Sequence, residues 1–241
     1  MQRRHLITAL VLLGTANISL AGSIDNVQVL GQADFKLLSQ DLSSTFSYKA
    51  VIPATPLGLT GIDLGVEASS TKLKNPTVWQ AATNSNDTTI IVPKVHVHKG
   101  LPFGFDIGGF YTSVPGSNIE LIGAEVRYAL FEGGVVTPAV GLRGAYTKLS
   151  GVDQLALNTK ALEVLVSKGF TLFTPYIGIG HVWTSSDPQG TAAAVGLQKE
   201  KISQNKTFAG INMNLGLMNF ALEGDKTGDT TSYSFKFGFR F

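Results

Sequence analysis

The final eleven residues, Thr231 to Phe241, constrain the fold more than any other stretch. Tyr233, Phe235, Phe237, Phe239 and Phe241 take every second place, and Ser234, Lys236, Gly238 and Arg240 fill the gaps. Alternate side chains of a strand point to opposite faces, so one face here is wholly aromatic and the other polar. Such a strand suits a boundary with hydrocarbon on one side and a wet interior on the other. No apolar run in the chain reaches the roughly 18 residues that a membrane helix needs. A membrane-spanning chain must then close into a barrel, because every backbone group in hydrocarbon has to pair within the sheet.

The terminal ladder resembles the closing strand of Gram-negative outer-membrane β-barrel proteins of the small single-chain class. The resemblance implies an all-β, transmembrane antiparallel barrel in the outer membrane, in contact with its lipid. It also implies that Tyr233, Phe235, Phe237, Phe239 and Phe241 are the signal read by the barrel assembly machinery. The other end of the chain agrees. Met1 to His5 is basic, Leu6 to Leu13 is apolar, and Ser19 and Ala21 are small residues placed for a signal peptidase. We expect a signal peptide over residues 1–21, an N-terminal extension over 22–60 and the barrel over 61–241.

Ten strands are expected, over about residues 61–71, 89–98, 103–112, 119–130, 135–147, 157–169, 172–183, 206–215, 219–225 and 231–241. Eight or twelve stay open, because the ninth segment is short and the segment around Tyr48 is ambiguous. The outward-facing sets, for example Leu64 and Val66, Ile122 and Val126, and Leu162 and Val164, contain no Asp, Glu, Lys or Arg. An outward Lys or Arg at the bilayer midplane would cost about 2–4 kcal/mol. Connections near residues 99–101, 131–134, 168–170 and 216–218 read as tight periplasmic turns. Those near 72–88, 113–118, 148–156, 184–205 and 226–232 read as longer outside loops. Within the extension, Asp34 is placed to cap a short helix reaching Ser43, with Phe35, Leu38 and Leu42 on one face. Pro53 and Pro56 argue against a central strand after it. The extension is read either as a plug entering the lumen from the periplasm, covering that mouth over about residues 34–56, or as a periplasmic tether or an extra edge pairing.

The inward face collects the charges. Asp63, Glu67, Asp106, Glu125, Glu163, Glu223 and Asp225 oppose Lys94, Arg127, Arg143, Lys236 and Arg240. They form either a selecting constriction or a set of ion pairs filling a narrow lumen. In the first and last strands one antiparallel register sets Asp63 against Arg240, Gly65 against Gly238 and Glu67 against Lys236. His96 and His98 also face the lumen, but no further inward histidine completes a metal site, so no metal or other cofactor is expected. His181 lies at the outer rim. No Ser–His–acid set lies on one outer face, and no enzymatic activity is expected. Two arginines and no acid lie before Ala21, which leaves 17 basic against 17 acidic residues and gives no reason to expect nucleic-acid binding. Two functions remain: a narrow or gated passive channel for small solutes, or a non-conducting surface-binding or envelope-structural barrel. In the second, the loops near Trp79 and near 190–195 would meet an unidentified surface ligand.

Overall fold

The computed structural model describes residues 21–241, so nearly all of the expected signal peptide lies outside the described residues. A helix α1, Gln32–Phe46, follows a single 3-10 turn at Val27–Val29. The strands are β1 Ile62–Lys72, β2 Thr89–Gly100, β3 Phe105–Ser113, β4 Glu120–Phe131 and β5 Ala139–Ser150. They continue with β6 Leu155–Ser167, β7 Phe173–Pro188, β8 Glu200–Leu215, β9 Met218–Thr227 and β10 Thr230–Arg240. Each pairs antiparallel with its chain neighbours, and β1 pairs with β10, so the sheet is a closed ten-stranded barrel. Two short helices, α2 Pro76–Thr83 and α3 Gly190–Ala194, lie in the connections.

Burial follows the period of two. In β4, Glu125 and Arg127 are buried while Val126 and Tyr128 are exposed to the outside. In β10, Tyr233, Phe235 and Phe239 are exposed, and Phe237 lies half-buried with its ring 5.0 Å from Phe220 and 5.7 Å from Phe239. The closing register pairs Asp63 with Arg240, Gly65 with Gly238 and Glu67 with Lys236.

Inside the wall, aromatic rings lie over glycines directly opposite on the next strand: Phe110 over Gly123, Phe208 over Gly178 and Tyr176 over Gly210. A Cβ on Gly178 would stand 2.1 Å from the Phe208 ring, and one on Gly123 would stand 2.2 Å from Phe110. These three glycines therefore supply slots that let bulky rings fit a narrow interior, where every atom must find packing partners.

Several boundaries differ from expectation. β5 starts at Ala139 rather than near residue 135, so the connection after β4 spans residues 132–138 instead of a tight turn. α1 starts two residues before Asp34, with Gly31 at its N-cap, so Asp34 sits in the first turn. β7 and β8 run on through Thr184–Pro188 and Glu200–Asn205, and only residues 189–199 connect them. The expected loop over 226–232 is a two-residue turn, Gly228–Asp229. In β7 and β8 the strand continues above the apolar zone with polar residues on both faces, so the alternation that marks a half-buried strand fades while the hydrogen-bonded ladder does not.

Candidate functional site

The lumen is the most densely charged part of the molecule, and it is filled. β1 begins at the short-turn end, where Gly58, at a positive φ of 76°, reverses the chain into the barrel. Leading up to that turn, residues 47–57 run through the lumen, and α1 lies at the opposite, long-loop mouth. The wall holds this segment at successive heights. Lys206 Nζ donates to the Tyr48 carbonyl at 2.8 Å, Arg127 Nη1 to the Pro53 carbonyl at 2.6 Å, and Ser167 Oγ accepts from the Ala54 amide at 3.1 Å. Asp106 Oδ1 accepts from the Leu57 amide at 3.0 Å. α1 is fixed by hydroxyl contacts: Ser39 to Ser186 at 2.8 Å, Ser43 to Thr184 at 2.7 Å, and Ser44 donating to the Thr227 carbonyl at 2.9 Å.

Above α1 the chain joins the outer connections. Asn118 Oδ1 accepts from the Ile24 amide and Gln154 Oε1 from the Gln28 amide, while Trp79 of α2 is buried in the same cluster. Asp41 accepts from the backbone amides of Asn75 and Lys74. Burial pushes its carboxyl above the usual range, against the pull of those hydrogen bonds. The expectation of a plug at the periplasmic mouth is thus corrected. Residues 22–46 cap the outer mouth and only residues 47–57 traverse the lumen. The sequence offered no clue to direction, since an extended segment with two prolines carries no periodicity.

The inward charges fall into linked groups. Asp63 meets both Lys236 at 3.2 Å and Arg240 at 2.6 Å. Glu67 meets Lys94, its direct partner on β2, at 2.8 Å and also His96, rather than Lys236, its partner on β10. Glu125 lies 3.2 Å from His98 and 3.7 Å from Arg143, which also binds Glu163. Glu163 binds Lys206 at 3.0 Å. Arg127 and Asp106 form a pair of their own, at 2.5 Å. Glu223 accepts from the Tyr176 hydroxyl at 2.9 Å, and Asp225 faces Lys49 of the luminal segment at 3.7 Å. Of the fourteen residues expected on the lumen side, all but Arg240 are buried. Lys49 and Lys206 belong to the same network and were absent from the sequence reading. Lys206 stood at an assumed strand boundary, and Lys49 in a segment of unassigned structure. Each charge has an opposite charge or a hydrogen-bonding partner, as groups removed from water require.

On the outside, the structure joins residues that the sequence left apart. His181 of β7 touches Ser203 and Asn205 of β8 on the exposed face of the wall. The three are separated in sequence and the orienting residue is an amide, so a search for a Ser–His–acid set passes over them.

A closed ten-stranded antiparallel barrel with an apolar exterior and a charged, filled interior has the architecture of a membrane-spanning β-barrel. No protein-family model matches the chain, and no curated protein matches it in sequence. Among solved structures it is similar to the N-terminal β-barrel domain of Pseudomonas aeruginosa OprF, at 15% identity over 76% of this chain and 99% of that one, with a TM-score of 0.35. It is also similar to the KdgM porin, at 8% identity over 75% and 99% of the two chains with a TM-score of 0.37. The attachment invasion locus protein Ail of Yersinia pestis matches at 13% identity over 75% and 97%, with a TM-score of 0.30.

Proposed function

We propose that the protein is a sealed outer-membrane barrel that works at its outer face and does not conduct solutes in its resting form. The observation that carries this is the luminal segment: residues 47–57 occupy the interior along its height, and the wall charges that would otherwise select solutes bind one another or that segment. A gated channel is the second reading. It is favoured by the wall itself, whose charges would line a hydrated passage if the segment left. One experiment separates them. Cysteines replacing Ala54 and Ser167, which touch across the lumen, would lock the segment to the wall. The sealed reading expects no current steps from the wild type or the locked form in planar bilayers. Steps in the wild type that vanish on oxidation of the locked variant would establish the gated channel and overturn the sealed reading.

A further inference from the structure

On the outer surface of β6, β7 and β8, side chains are arranged in cross-strand rows set by the register. The highest row is Asn158, Ser185 and Lys201; the next is Lys160, Trp183 and Ser203; the next is Leu162, His181 and Asn205; below it come Val164, Ile179 and Thr207. Polarity therefore changes over to hydrocarbon within one row of His181. Trp183, beside it with ring centroids 4.7 Å apart, marks the interface where tryptophan concentrates.

At that level three groups form a chain. Ser203 Oγ lies 2.6 Å from His181 Nε2, and Asn205 Oδ1 lies 2.9 Å from His181 Nδ1. With Asn205 Oδ1 as acceptor, the neutral tautomer that satisfies both contacts carries its proton on Nδ1. Nε2 of the neutral ring then has a free lone pair and accepts from the Ser203 hydroxyl. This is the state in which a histidine serves as general base to a serine, held in the right tautomer by a third residue. The cross-strand pairing explains the geometry: Asn205 stands directly opposite His181, and Ser203 lies one row higher on the same face. Ser203 also opens onto a cleft of ≈ 250 Å³ whose wall includes Lys160, Lys201 and Trp183.

We propose that Ser203, His181 and Asn205 are a hydrolytic triad on the lipid-facing wall, acting on an acyl ester of an anionic membrane lipid in the outer leaflet. The position selects the substrate. The ester bonds of a membrane lipid sit at the boundary between headgroup and hydrocarbon, which is the level of Ser203. A headgroup phosphate would lie upward against Lys160 and Lys201, and the acyl chain downward along Leu162 and Ile179. Ser203 Oγ bonds to the ester carbonyl carbon while its proton passes to His181 Nε2. The carbon–oxygen bond to the glycerol or sugar alcohol then breaks, and that alcohol leaves with the proton from His181. Water attacks the acyl–Ser203 ester, giving its proton to His181, and the fatty acid departs as Ser203 recovers its hydrogen. Ser203 and His181 are the catalytic residues and Asn205 is a positioning residue. None of this depends on whether the lumen conducts.

The test uses the full-length mature protein, refolded in detergent micelles, with folding verified by heat-modifiable gel mobility. An alkyl fluorophosphonate should leave an adduct on Ser203 detectable by mass spectrometry, a readout that requires no variant to fold. Mixed micelles of phosphatidylglycerol form one arm and micelles of purified lipid A the other, with fatty-acid release measured in each. Release in the first alone identifies a phospholipid substrate; release in the second alone identifies lipid A. Ser203→Ala and His181→Ala should each lower release by about 10³-fold or more. Asn205→Ala should lower kcat at unchanged KM, with recovery in Asn205→Asp. Folded wild-type protein that forms no adduct and releases no more fatty acid than Ser203→Ala in either arm would overturn the proposal, as would release that survives Ser203→Ala.

Discussion

The pair Asp106–Arg127 provides the sharpest test of how the lumen is kept closed. The two residues stand directly opposite each other on β3 and β4. Each also holds the luminal segment, Arg127 through the Pro53 carbonyl and Asp106 through the Leu57 amide. In Arg127→Met the filled lumen retains a buried carboxylate with no cation beside it. When the segment leaves, water enters and that carboxylate is hydrated, so the substitution penalises the closed form alone. Removing one partner of a buried pair costs about 3–5 kcal/mol, which at 1.4 kcal/mol per decade is about 10²–10⁴-fold in the population of the open form. Asp106→Asn in the same chain removes the stranded charge but keeps an oxygen for the Leu57 amide. The remaining deficit is then about 1–2 kcal/mol, that of neutral hydrogen bonds. The chain has no cysteine, so a single thiol at Ala54, fully buried beside Pro53, reports opening through its rate of reaction with a water-soluble maleimide. The Arg127→Met rate should rise by two to four decades over the parent, and the double variant should return most of the way. A single variant within threefold of the parent, or a double variant faster than the single, would refute the clamp.

Three further outcomes are expected. Val29 is 61% exposed on the outer cap, so Val29→Cys should react with an impermeant maleimide in intact cells; labelling only after the outer membrane is breached would place the extension on the other side. The closing register is best read at Ser69 and Ser234, whose hydroxyls lie 2.9 Å apart, because a Cβ on Gly238 would meet the Leu64 carbonyl at 2.1 Å. The double cysteine variant at 69 and 234 should form a disulfide in the folded barrel, and efficient linking of 69 with 232 instead would mean a shifted seam. Gly178→Val drives a branched side chain into the Phe208 ring, which is boxed in by Arg143 and Lys206, and should cost about 1–3 kcal/mol in urea unfolding from vesicles; an unchanged midpoint would mean the slot has room to spare.

The barrel wall was legible because each residue there answers to two fixed environments. Val126 meets lipid and Arg127 meets the interior, so a one-residue slip would reverse every choice, and the strand faces follow from alternation alone. The closing register was legible for a related reason: Asp63, Gly65 and Glu67 find complementary residues at matched spacing in β10. The actual ion pairs were less so. Lys236 reaches diagonally to Asp63, and Glu67 is taken by Lys94, directly opposite on its other side, and diagonally by His96. Register fixes the Cα atoms; which charge a flexible stem reaches depends on what else fills the lumen.

The luminal segment and the outer cap lie beyond alternation. Residues 47–57 bind the wall mainly through their own carbonyls and amides, so the partners that fix them are Arg127, Ser167 and Lys206, written far away in the chain. The clue available in the wall was its excess of charge. A narrow interior lined by such groups cannot be left dry and unpaired, and ten strands leave little room for bulk water. The wall therefore called for an internal polar partner, and the chain supplies its own backbone. The grouping of His181, Ser203 and Asn205 follows the same logic from the other side. A histidine on the outer wall at the hydrocarbon boundary needs hydrogen bonds for both ring nitrogens, and only the neighbouring strand can reach them. Two residues two places apart on β8 meet that need, and in doing so place a serine hydroxyl against one imidazole nitrogen and an amide oxygen against the other.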